Sequence, residues 1–165
     1  MLAIQLLRAI TPSVCMSRAA ISLFLLLPSL VLFMGCGREY TDYELAGASF
    51  DAKTLQMIQS NTRIVLPADA RGLNFYYKVP IDPAYAAKIE ISANSSEGVI
   101  KALSAIKNDE NIHTVESLGT NVTWWIPKGA KILVDRQTFV GGNYLRVTLT
   151  EEDAVVILYV EWWTI

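Results

Sequence analysis

The chain has 165 residues, 52% of them hydrophobic and 18% charged, with a formal net charge of −2, which is enough for one ordinary domain if all of it folds. Its mildly acidic, well-mixed charges argue against a nucleic-acid partner and against a polybasic membrane-binding face.

The first residues do not read as part of a fold. From Ala19 to Met34 the chain is uncharged and dominated by Leu and Phe; it follows Arg18 and ends beside the small residues Gly35 and Gly37. A positive start, an apolar run and a small-residue zone are the three parts of an export signal. The run falls short of the roughly 18–20 residues that span a hydrocarbon core, and Pro28 interrupts it, so a retained transmembrane helix is the weaker reading. Met16-Ser17-Arg18 and the run after it already form a complete signal of ordinary size, and translation is expected to begin at Met16.

Phe33-Met34-Gly35-Cys36 resembles the lipobox that ends the signal peptides of bacterial lipoproteins, with Phe33 in place of the usual Leu. The resemblance covers about residues 16–37. It implies that residues 1–35 are a signal peptide, that cleavage follows Gly35, and that the Cys36 sulfur carries a diacylglyceryl group, commonly with a further acyl chain such as palmitate on the new amino terminus. Two or three chains on one cysteine make a lasting anchor where a single chain holds only reversibly. Gly37 is not the Asp that keeps such lipoproteins in the inner membrane of some two-membrane bacteria. The implied address is therefore the outer membrane facing the periplasm, or the outer surface of a one-membrane cell.

Removal of the signal discards Cys15 and commits Cys36 to lipid, so the mature chain has neither free thiol nor disulfide and must be held by packing alone. All sixteen acids follow Cys36 while Arg8 and Arg18 precede it, leaving twelve bases and a net charge of −4.

Residues 36–48 read as a lipidated tether and 49–165 as one globular domain. A short helix is expected at about 51–60, with Leu55 and Ile58 on one side, followed by extended TRIVLP and a turn over 67–72. GLNFYYKV (72–79) and AAKIEISA (86–93) alternate around Pro80–Ala84 as a wide hairpin. The clearest helix runs over about 95–107, with Asn94 and Glu97 spaced as a capping box and Val99, Ile100, Leu103 and Ile106 on one face. Strands are then expected at about 112–118, 121–126, 131–139, 143–150 and 154–163, the last two joined by Glu151-Glu152-Asp153. The pattern predicts an α+β fold with an antiparallel sheet, Leu145, Val147, Leu149 and Val156, Leu158, Val160, Trp162 facing its core.

Constellations for chemistry are scarce. His113 is the single histidine and reads as a half-exposed strand residue; no catalytic set, metal site or cofactor motif is present, and no cofactor is expected. Glu151, Glu152 and Asp153 are adjacent in a turn, which does not place two carboxylates across a substrate. The suggestive feature is aromatic: all four tryptophans occur as neighbours, Trp124-Trp125 and Trp162-Trp163. Neighbours on a strand face opposite ways, which would send Trp124 to the core with Val122 and Ile126, and Trp125, Trp163, Tyr159 and Tyr76 to the second face. If open, that face offers rings for a glycan or an envelope protein; otherwise another helix or the amino-terminal segment covers it. The favoured reading is a lipid-anchored, non-catalytic binding module, an inhibitor or immunity protein being one form of it. The alternative is a small envelope hydrolase using carboxylates on cell-wall glycan.

Overall fold

The computed structural model describes residues 41–79, 82–112 and 116–165. The signal, Met16 and Cys36 lie outside the described residues, as does His113. Six antiparallel strands form one sheet: β1 (Tyr43–Ala46), β2 (Arg71–Lys78), β3 (Ala84–Ile91), β4 (Lys131–Val140), β5 (Asn143–Glu152) and β6 (Val155–Trp163). Their order across the sheet is β1-β2-β3-β6-β5-β4. Helices α1 (Ala52–Thr62) and α2 (Ala93–Ser104) complete the α+β domain.

Period-two patterning decides which face meets the helices. Phe75, Tyr85, Ala87, Ile89, Leu145, Val147, Leu149, Leu158 and Val160 pack with Ile58 of α1 and with Val99 and Leu103 of α2 in one core, and Trp162 lies against it. Asp51 caps α1 by accepting from the Thr54 amide at 2.9 Å, and Arg63 ends it in the left-handed conformation at φ 61°. The β4–β5 turn likewise uses positive φ at Gly141 and Gly142, as a tight hairpin requires.

Several expectations are corrected. α2 starts at Ala93 after Ser92, two residues before the expected start, so Asn94 and Glu97 form no capping box; Ser92 and Ser95 instead donate to Asp69, at 2.5 Å and 3.1 Å. TRIVLP alternates, burying Ile64 and Leu66, yet finds no partner strand among the described residues. The Leu66 amide donates to the Gln59 side chain at 2.9 Å and the Ile64 amide to Thr62 at 3.2 Å. The expected tether does not extend through residue 48, because Tyr43–Ala46 pairs with β2 as an edge strand. Asp42 fixes its start by accepting from the Tyr76 hydroxyl at 2.7 Å and the Val79 amide at 2.9 Å.

The two strands expected between 112 and 126 are absent from the described residues there. Leu118–Asn121 is a short 3-10 turn, with Ser117 accepting from the Gly119 amide. Ser117, Gly119 and Asn121 are turn formers, and the local bonds Thr120 N to Ser117 O and Val122 N to Gly119 O satisfy backbone that a strand would pair elsewhere.

Candidate functional site

The long connection from α2 to β4 bonds to the edge of the sheet, the Asp109 amide to the Gln137 carbonyl at 2.8 Å, and then lies on the second face. There Leu118 is fully buried with Ala84 of β3 and Ala86 of β3, and Tyr76, Trp124, Trp125 and Trp163 pack around them. The second face is thus partly covered by the chain's own loop. Trp124 joins this cluster, not the core, because a turn does not alternate its side chains as a strand does.

Glu161 holds the loop down. It is 1% exposed on β6, and its Oε1 accepts from Ser117 Oγ at 2.5 Å and from the Gly119 amide at 3.1 Å. Trp125 lies flat over Gly119, where a Cβ would meet the ring at 2.2 Å, and its edge meets Tyr159 with centroids 4.9 Å apart at 69°. The indole N–H groups of Trp124 and Trp163 are buried without a hydrogen-bond partner among the described residues, so these rings contribute apolar area rather than polar recognition.

The four rings expected on this face do come together there, but with unequal access. Tyr159 is fully buried and is no surface ring, while Trp125, Trp163 and Tyr76 are half-buried. The Lys78 ammonium lies over Trp163, 5.4 Å from the ring centroid. Burial, then the Asp42 acceptor, pushes the Tyr76 hydroxyl up to about 12. Sequence reasoning missed Glu161 and Gly119, although a charged residue inside the apolar run VVILYVEWW was a visible signal of a buried, partnered carboxyl.

The acidic turn is tied up in pairs. Glu151 accepts from Lys131 Nζ at 2.7 Å, and Glu152 accepts from Lys88 at 3.0 Å, Thr150 at 2.8 Å and the Tyr159 hydroxyl at 2.7 Å. Burial raises the Glu152 carboxyl, but the bonds from Tyr159, Thr150 and Lys88 outweigh it and hold the group below its ordinary range. A carboxyl held that way has no proton to donate near neutral pH. Among the described residues, no cluster of His, Cys, Asp or Glu could hold a metal ion.

The depressed Glu152 carboxyl links stability to pH. Its contribution is fully present above the ordinary value of 4.5 and is lost as the pH falls through the lower folded value. Glu152→Gln is expected to lose about 1–2 kcal/mol at pH 7, with the gap to the wild type closing as urea unfolding is repeated toward pH 3. A gap independent of pH would show that the ionised group is not what the network holds.

No family model, curated protein or solved structure significantly matches the chain.

Proposed function

We propose that the protein is a lipid-anchored, non-catalytic module of the bacterial cell envelope, attached to its membrane through Cys36 and acting by binding. The observation that carries this reading is the uncharged run Ala19–Met34 stopping at Gly35-Cys36 behind Arg18. Gly37 favours the outer membrane facing the periplasm, or the outer surface of a one-membrane cell. Of the aromatic set, Tyr159 is buried and Trp125 is committed to Gly119, so Trp163 and Tyr76 are the rings left for contact with an envelope partner, protein or glycan. The acidic turn gives the alternative hydrolase reading no support, since Glu151 and Glu152 are both engaged by lysines.

The test is expression of Cys36→Ser beside the wild type in the source cells. The wild type is expected in the membrane fraction with a thioether-linked lipid on Cys36 by mass spectrometry, and Cys36→Ser in the soluble fraction or as an uncleaved precursor. Unchanged fractionation and no lipid on the cysteine would refute the anchor.

A further inference from the structure

We propose that the end of the sheet where β1 begins is a membrane-contact surface that rests in the lipid headgroup region. This rests on the reading of Cys36 as the anchor, and it names the partner of the Trp163 ring as the lipid surface itself.

Reach comes first. Asp42 is bonded to Tyr76 and Val79, so the chain is held to the sheet at the start of β1, six residues after Cys36. Only residues 37–41 separate Asp42 from Cys36, and such a segment extends to at most about 20 Å. An anchored domain therefore has its β1 start within that distance of the lipid, and the antiparallel register sets which other residues share that end. Tyr43 pairs with Tyr77, Lys78 with Ala84, Ala84 with Trp163, Trp163 with Tyr144, and Tyr144 with Phe139. Neighbouring strands lie about 4.8 Å apart, so this row crosses all six strands over some 24 Å.

The chemistry of that row suits an interface. Tyr43 is 44% exposed, Phe139 48% and Ile165 74%, while Trp163 and Tyr77 are half-buried beside them. Trp and Tyr partition to the boundary between headgroups and acyl chains, and a lysine lying over a ring keeps its charge among the headgroups while its stem covers apolar surface. The charges at this end are Lys78 with Asp42 and the exposed Asp82, and, around Phe139, Lys107 with Asp109 and Glu110, a balance on the acidic side that gives anionic lipid no advantage and leaves the rings to make the contact. The opposite end differs. It carries the pairs Arg71–Glu90, Lys131–Glu151 and Lys88–Glu152 together with Asp153, and its exposed apolar residues are the aliphatic Ile132 and Val155, with no ring among them.

The experiment uses the full lipidated protein, purified from its own membranes and reconstituted in phosphatidylcholine vesicles brominated near the headgroup end of the acyl chains. Mass spectrometry of the Cys36 peptide is run on the same sample. Part of the tryptophan emission should be quenched, most of that part should vanish in Trp163→Phe, and dilution of anionic lipid into the vesicles should change it less than twofold. A photoreactive phenylalanine at Phe139, in cells, should crosslink to lipid. Lipid on Cys36 with no quenching and no lipid crosslink would overturn the contact while leaving the anchor standing, as would a Phe139 crosslink to an envelope protein or glycan. Absence of lipid on Cys36 would overturn both, and the mass spectrum distinguishes that case.

Discussion

Glu161→Ala is expected to cost about 3 kcal/mol, because it removes the acceptor of the buried Gly119 amide and the half-buried Ser117 hydroxyl and opens a cavity beneath the loop. Glu161 is 1% exposed on β6 and receives Ser117 Oγ and the Gly119 amide, groups 44 and 42 residues earlier in the chain. Once the carboxyl is gone, the Gly119 N–H keeps only the Ser117 hydroxyl at 3.2 Å, a bond within the loop that does not tie it to the sheet. Residues 117–126 should therefore lift away first, taking Trp125 off Tyr159. The readout is near-ultraviolet circular dichroism, which should lose the contribution of the Trp124–Trp125 pair while far-ultraviolet signal from the sheet is kept, together with faster amide exchange at Gly119. Glu161→Gln preserves shape and one acceptor oxygen and should lose about 1 kcal/mol. Combining Ser117→Ala with Glu161→Ala should cost less than the two losses together, as for residues that share a bond. Strictly additive losses, or an unchanged aromatic signal, would show that Glu161 does not hold the loop.

That clamp also marks where the sequence could and could not be read. Alternation in RGLNFYYK, AYAAKIEI, NYLRVTLTEE and VVILYVEWW places β2, β3, β5 and β6 and their inward residues, because each of these strands has neighbours on both sides and its buried face leaves a period of two. The same rule brought Trp163, Tyr159 and Tyr76 to the second face. It failed at residues 116–126, where aromatic and apolar residues alternate with polar ones by chance of turn geometry, and where burial is decided by a carboxyl more than forty residues away. It failed differently at Tyr43–Ala46. An edge strand whose side chains are mostly exposed has no buried face to imprint a pattern, and its position depends on the Asp42 bonds and on Tyr43 stacked on Tyr77 with centroids 5.3 Å apart. Ile64 and Leu66 show the converse, a true alternation with no strand beside it to pair among the described residues.

Gly72→Ala is expected to be about as damaging as loss of the clamp, roughly 3 kcal/mol, at the high end for overpacking a core. A Cβ on Gly72 would lie 2.4–2.6 Å from three atoms of the Phe50 ring, and Gly72 has no positive φ, so the penalty is steric and not conformational. Phe50 cannot swing aside at low cost: it is 4% exposed, with its ring 5.6 Å from that of Phe75 at the centre of the core. The comparison with Gly119→Ala isolates this point. There a Cβ would come still closer, 2.2 Å from Trp125, yet that ring is half-buried and can tilt outward, so the loss should be nearer 1–2 kcal/mol and accompanied by red-shifted tryptophan emission. Urea midpoints should therefore rank Gly72→Ala below Gly119→Ala despite the closer contact in the second. Adding Phe50→Leu to Gly72→Ala should restore part of the loss by removing the ring that the methyl meets, whereas the same change in the wild type should destabilise. If Gly72→Ala unfolds at the wild-type midpoint, Phe50 does not pack on Gly72, and the irregular pairing of β2 with β3 between Gly72 and Asn74 leaves room for a side chain there.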